Sequence, residues 1–375
     1  MPALLPDVDP DGLLEYSVVY TDRSVNHMSA LFQGAMQDIS RILKDVYHAK
    51  SAVIVPGSGT FGMEAIARQF ATGKRCLVIR NGLFSFRWSQ ILETGSIAAS
   101  VTVLQARLTA DMPESPFEPV PIAEAAATIR KEKPYLVFAP HVETSSGMML
   151  PDGYIRELAT AVHESGGMMV LDCVASGAMW IDMDALGVDV LVTAPQKGWS
   201  GPPCCAMVAL SALARQRIET TTSTSFSCDL KKWLEIMETY EQGRHAYHAT
   251  PPTDSLVALR GVMKEMQSFG FENAKAAQAE IGSGVRSLLT AKGFKSVAAE
   301  GFQAPGVVVC YTSDPDLQSG RKFADQGMQI APGVPLKCGE PADYRSFRVG
   351  LFGLDKLKNV DRTVQSFADT LAKVT

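Results

Sequence analysis

Three stretches of the chain carry side chains that can do chemistry, and each stands where an apolar run ends. "DVLVTAPQKGWSGPP" runs from a strand-like segment into Gln196 and Lys197, then into Gly198, Trp199, Gly201, Pro202 and Pro203. A lysine at a strand end is by default a solvated charge. One flanked by tryptophan and glycines is expected to be buried, and burial favours the neutral amine that condenses with a carbonyl. "MMVLDCVAS" places Asp172 directly after an apolar run. In a parallel sheet this residue falls on the same edge as Lys197, where a carboxylate can hold a ring nitrogen protonated. "SAVIVPGSGTFGMEA" turns from strand to helix at Ser58, Gly59 and Thr60. The first N–H groups of a helix are unpaired and carry partial positive charge, the two hydroxyls add donors, and Gly59 lets the main chain approach closely. That is a cradle for one phosphate.

Gly57, Gly59 and Gly62 also spell G-x-G-x-x-G. A dinucleotide site needs an acidic residue about 20 positions later, at the end of the second strand. Here that strand ends "CLVIRNG", with Arg80 and Asn81 in its place, which argues against a dinucleotide. A helix capped by Thr60 is the plain structural reading of the loop by itself. Taken together, a lysine for an aldehyde, an aspartate for a pyridinium and a helix N-terminus for a phosphate describe pyridoxal 5'-phosphate.

The elements that must position these groups alternate along the chain. Apolar strands are expected at 52–55, 76–79, 101–104, 135–139, 168–172, 188–194 and 205–210, with helical periodicity at 24–47, 60–70, 84–94, 121–131 and 152–165. Strands this apolar, separated by helices, imply an α/β fold with a mostly parallel seven-stranded sheet covered on both faces, whose sites collect at the carboxyl ends of the strands. The character changes near residue 265. A long helical pattern covers 254–292, strands are expected at 306–311 and 346–350, and a last helix carries Leu357, Val360, Val364, Phe367 and Leu371. The expected division is an N-terminal segment 1–20, a large domain 21–265 and a smaller C-terminal α/β domain 266–375.

Bulk properties narrow the partners. A length of 375 residues allows two domains, and 46% hydrophobic with 20% charged residues is ordinary for a globular protein. The formal charge of −5 and the absence of any like-charge run argue against nucleic acid or an anionic membrane. The start, "MPALLPDVDPDGLL", lacks the basic and apolar regions of a signal peptide, and no apolar stretch is long enough to span a bilayer. The seven cysteines are scattered with no C-x-x-C spacing, and no histidine pair has metal-ligand spacing. Reduced thiols, a cytoplasmic location and no metal are expected.

At this point the sequence resembles the class V aminotransferases of fold-type I, most nearly the alanine–glyoxylate and serine–pyruvate aminotransferase group. The pieces that carry the resemblance are "GSGTFGMEA", "NGLF", "HVETSSG", "LDCVAS", "APQKGWSGPP", "YHATPP" and "FRVGLFG", spread over about residues 24–373. It implies that Lys197 tethers the cofactor and then shuttles a proton, and that Asp172 pairs with the pyridine nitrogen. It implies that Ser58, Gly59, Thr60 and Gln196 hold the phosphate. Phe84 would stack on the ring, where tryptophan is common, and Thr144 would bond near the ring hydroxyl. Arg348 would bind the substrate carboxylate, and Tyr247 and Thr250 would reach the phosphate of the neighbouring subunit in a homodimer. The chain departs from the family pattern at its start, where "LLEYSVVYTDRSVNHMS" replaces a Pro-Gly-Pro-rich segment.

The implied activity is transfer of an amino group from a small amino acid to a 2-oxo acid such as glyoxylate or pyruvate. A 2-aminoethylphosphonate-type transaminase and a lyase or desulfurase are the alternatives. Desulfurases of this superfamily usually carry His before the lysine and a mobile-loop Cys. Here Gln196 precedes Lys197, and Cys228 is the only cysteine in a polar, loop-like setting.

Overall fold

The computed structural model describes residues 7–375; the first six residues of the expected N-terminal segment lie outside them. Its centre is a sheet of seven strands: β1 (Ser51–Pro56), β2 (Arg75–Arg80), β3 (Ser100–Gln105), β4 (Leu136–Pro140), β5 (Met168–Asp172), β6 (Val190–Thr193) and β7 (Cys205–Leu210). Their order is β1-β7-β6-β5-β4-β2-β3. β7 runs antiparallel to β1 and β6, and the remaining pairs are parallel. Successive residues point to opposite faces of a strand. In β1, Ala52 and Ile54 enter one buried cluster while Val53 and Val55 enter another. Both faces are therefore core, which explains the unbroken apolar runs.

Helices α1 (Ala30–Tyr47), α2 (Gly59–Ile66), α3 (Leu83–Thr94), α4 (Ile122–Glu132) and α5 (Asp152–Glu164) cover the sheet. α1 begins later than the periodicity at 24–47 suggests. Asn26 Oδ1 accepts from Met28 N, folding the chain into a turn, and Ser29 Oγ then caps the helix at Phe32 N. The helix expected over 60–70 is α-helical only to Ile66 and closes in a wider turn, Ala67–Ala71. A helix absent from the sequence reading, α6 (Leu230–Glu241), buries Leu230, Trp233, Leu234, Met237 and Tyr240.

The helical pattern at 254–292 is two helices, α7 (Thr253–Phe269) and α8 (Phe271–Ala291), broken at Gly270 with φ +95°. α8 packs against a small antiparallel sheet of β8 (Val307–Tyr311), β9 (Ala331–Pro332) and the central β10 (Ser346–Gly350). The final helix, α9 (Val360–Val374), excludes Leu357, which sits in a separate short helix, Leu354–Lys358. Among the described residues no helix is long and apolar enough to cross a membrane, and no group of three or more His, Cys, Asp or Glu residues could hold a metal.

Candidate active site

The carboxyl ends of β1, β5 and β6 open on one cavity of about 230 Å³. Ser58, Gly59, Thr60, Phe84, Thr144, Asp172, Gln196 and Lys197 all line it, together with Met63, Arg87, Val142, Val174 and Ala175. Residues drawn from across some 140 positions of sequence meet there because parallel strands deliver their following loops to one edge.

The turn after β6 is held in a narrow conformation. Gly201 N donates to Pro195 O (2.9 Å) and Ser200 N to Lys197 O (3.2 Å), with Ser200 at φ +58°. A Cβ on Gly198 would stand 2.1 Å from Gly177 O, so the main chain there is pressed against the loop after β5. This leaves Lys197 half-buried, with Nζ 5.1 Å from the centre of the Phe352 ring. Burial, and then the charge of Arg348, lower its pKa below the usual lysine value. Asp172 closes β5 beside Val192 of β6 and Pro140 of β4. One carboxylate oxygen accepts from Val174 N at 3.0 Å, and no ion pair reaches it among the described residues. Burial pushes its pKa up to about 7 against the opposing Val174 N–H bond; the Glu143 charge acts with burial and the Arg87 charge, more weakly, against it.

Two helix N-termini meet at this edge and are treated differently. That of α3 is satisfied by protein groups: Leu83 N donates to Ser145 Oγ (2.9 Å), Phe84 N to Glu143 Oε1 (3.2 Å) and Ser85 N to Glu143 Oε2 (2.8 Å). That of α2 is not. Ser58 makes no side-chain cap, Thr60 does not cap the helix either, and among the described residues the N–H groups of Gly59 and Thr60 have no acceptor. A Cβ on Gly59 would meet Val174 Cγ2 at 2.8 Å, so only glycine keeps this wall of the cavity as it stands. Free N–H groups at a helix start, an uncompensated buried carboxyl and a half-buried amine are the donor set that pyridoxal 5'-phosphate requires, and the residues fit it.

The other expected residues do not line the cavity. Arg348, on β10, donates from Nε to Pro332 O at 2.8 Å, and its Cζ stands 5.7 Å from the Phe84 ring centre. Tyr247 and Thr250 share a hydrogen bond of 2.8 Å, and Tyr247 is 50% exposed. Two residues were not anticipated. Arg87 lines the cavity and donates from Nη1 to Thr60 Oγ1 at 2.9 Å. Glu143, fully buried, also accepts from the Ser85 hydroxyl and from the Ser145 N–H and hydroxyl. Glu143 falls inside the stretch "HVETSSG" and Arg87 follows "NGLF" by three residues, and that closeness is the only sequence signal that pointed to them.

Comparison with known proteins agrees with this geometry. The family model for aminotransferase class V matches residues 12–342. An L-aspartate–glyoxylate aminotransferase from Paracoccus denitrificans is 29% identical over 280 residues, covering 73% of this chain and 67% of the relative. A 2-aminoethylphosphonate–pyruvate transaminase from Paraburkholderia phymatum is 28% identical over 358 residues, covering 92% and 90%. The solved structure of an alanine–glyoxylate aminotransferase from Nostoc sp. superimposes with a TM-score of 0.77 at 22% identity, covering 92% of this chain and 89% of that one, a likeness of fold. Because the family model spans most of the chain, with β1, β5 and β6 inside the matched residues, the chain belongs to the class V aminotransferases, pyridoxal-phosphate-dependent transaminases of fold type I.

Proposed function

We propose that this transaminase moves an amino group from a small amino acid to a 2-oxo acid such as glyoxylate or pyruvate. The observation that carries the reading is the single cavity shared by the uncapped start of α2, Asp172 and Lys197. When bound, pyridoxal phosphate supplies an aldehyde and a ring that withdraws electrons from the substrate's α-carbon. The chain supplies the rest. Lys197 Nζ, whose pKa burial lowers, would take the proton from the substrate's α-carbon and return it one position away. Asp172 holds a proton at the ring nitrogen. The Gly59 and Thr60 N–H groups, the hydroxyls of Ser58 and Thr60, and Gln196 receive the phosphate. Phe84 covers the ring and Thr144 bonds near its hydroxyl. Arg348, with its Nη groups uncommitted among the described residues, clamps the substrate carboxylate in a two-point fork.

The exposed Tyr247–Thr250 pair is assigned to the phosphate of a neighbouring subunit, which makes the active unit a homodimer. The same reading includes a large domain 21–265 and a small domain 266–375. It is supported by the separate buried cluster that α8, α9 and the small sheet form. A cytoplasmic location is supported by seven free, buried cysteines.

An aminophosphonate donor is the second reading, favoured by the 28%-identical relative and by the fit of a guanidinium fork to phosphonate. A desulfurase is disfavoured, because Cys228 is buried and burial pushes its thiol pKa up, away from the thiolate such chemistry needs. A panel of amino donors with glyoxylate and pyruvate as acceptors tests the proposal. Turnover of α-amino carboxylates is expected, and turnover of 2-aminoethylphosphonate alone would overturn it. Lys197→Ala is expected to abolish both turnover and borohydride fixation of the yellow cofactor.

A further inference from the structure

Arg87 is the one charged group in the cavity to which neither the resemblance nor the mechanism gives a task. It lies one turn after Phe84 on α3, which puts both side chains on the same face. Its Cζ is 5.4 Å from the centre of the Phe84 ring, and Nη1 donates to Thr60 Oγ1 at 2.9 Å. Among the described residues no carboxylate lies within ion-pair distance of it. A half-buried guanidinium without a counter-ion therefore faces the start of α2.

The hydroxyl of Thr60 gives the arrangement a direction. A guanidinium only donates hydrogen bonds, so Thr60 Oγ1 is the acceptor in this pair. The Thr60 proton is then left to donate, and among the described residues nothing accepts it. The other groups assigned to the phosphate are Ser58, the N–H groups of Gly59 and Thr60, and Gln196; all of them are neutral. A phosphate monoester carries roughly −1.5 to −2 charge at neutral pH. Lys197 is committed to the aldehyde, and Arg348, on the small sheet, to the substrate carboxylate.

We propose that Arg87 is a further determinant of cofactor binding, locking the Thr60 hydroxyl as a donor to the phosphate and supplying the positive charge that the neutral cradle lacks. The proposal rests on the phosphate lying at Ser58–Thr60. Arg87 acts partly through Thr60 and is to that extent a positioning residue.

The test compares two ligands that share ring and aldehyde but differ in the phosphate. Dissociation constants of pyridoxal 5'-phosphate and of pyridoxal are measured spectroscopically on stripped enzyme for the wild type, Arg87→Gln, Arg87→Lys and Thr60→Val. Inorganic phosphate serves as a competitor. Arg87→Gln is expected to weaken pyridoxal phosphate by about 10- to 100-fold, the range for loss of a charge-assisted hydrogen bond. Pyridoxal binding should change less than about twofold, and phosphate should no longer compete. Arg87→Lys should recover part of the loss. Adding Arg87→Gln to Thr60→Val should weaken binding less than it does in the wild type.

Equal losses for both ligands would mean that Arg87 merely supports the fold, and would overturn the proposal. So would unchanged cofactor affinity with a raised KM for acidic donors, which would place Arg87 on the substrate. If the wild type bound pyridoxal as tightly as its phosphate, the cradle at Ser58–Thr60 would itself be misassigned.

Discussion

Asp172→Asn in cofactor-free enzyme isolates the electrostatics of the cavity from turnover. Burial raises the Asp172 carboxyl from 3.8 to about 7. At 1.36 kcal/mol per unit, ionising it in the folded apo-protein costs about 4 kcal/mol. The folded-state value lies above the unfolded one, so between those values the folded protein holds a proton that the unfolded chain has released. Its stabilising contribution is complete at low pH and is lost as pH rises through about 7. Between about pH 5.5 and pH 8 the loss amounts to about 2 kcal/mol. His141 titrates in the opposite sense. It is buried beside Ser176 and its pKa is pushed down to about 3, so stability rises as pH climbs from there to the unfolded histidine value and is level above it. A raw stability curve mixes the two. The difference between wild type and Asp172→Asn cancels His141 and leaves Asp172 alone.

Denaturant unfolding of both apo-proteins at these two pH values, at one protein concentration, is expected to show the wild-type advantage shrinking by about 2 kcal/mol. Saturating cofactor should remove the effect, since a protonated ring nitrogen keeps the carboxylate ionised. Parallel pH curves for the two apo-proteins would show that the carboxyl is not held neutral by burial, and the argument would fail.

Arg348→Ala should raise KM for carboxylate donors by about 10- to 100-fold while leaving the cofactor spectrum and affinity intact; equal loss of both would misplace the residue. Glu143→Gln puts an NH₂ donor against the N–H and hydroxyl donors that now converge on a carboxylate. It should destabilise the fold by about 1–3 kcal/mol in denaturant unfolding and loosen the cofactor as Phe84 shifts; unchanged stability would refute the capping role. Gly59→Ala must displace Val174, since its Cβ would lie 2.8 Å from Val174 Cγ2, so cofactor affinity should fall with little change in stability. Equal affinity for the cofactor in that variant would show that the cavity wall yields freely.

Six of the seven central strands were legible because they are buried on both faces and so write a continuous apolar run into the sequence; β3, an edge strand whose residues are exposed or half-buried, was legible from its short run of Val101, Val103 and Leu104. Their carboxyl ends were legible for the same reason, and with them Ser58, Asp172 and Lys197. What escaped depends on pairings that sequence order does not encode. β9 is two residues long, Ala331–Pro332, and exists only because β10 offers it an edge. α6 was missed although its apolar residues, Leu230, Trp233, Leu234, Met237 and Tyr240, stand at amphipathic helical spacing. Gly270 breaks the long helical pattern through its backbone angle, which the apolar periodicity does not record. Arg87 and Glu143 were passed over because a charge in a helix or loop reads as solvated until its partner, tens of residues away, is known.

One cause accounts for the two principal shifts. Burial lowers Lys197 and raises Asp172, so each moves toward its neutral form. In the free enzyme the base and the acid are therefore both held back from full charge, although they share one cavity. The charges that complete the site arrive with the ligand: a phosphate for the bare start of α2, a protonated ring nitrogen for Asp172 and a carboxylate for Arg348. An ion pair between Lys197 and Asp172 would have satisfied both groups and left nothing for the ligand to complete. No such pair forms among the described residues. Introducing a carboxylate into the cavity that holds Lys197, as in Val174→Asp, should raise the lysine pKa and slow proton transfer, read as an alkaline shift of the pH–rate profile; an unmoved profile would mean that the charges of the cavity do not set the titration of the amine.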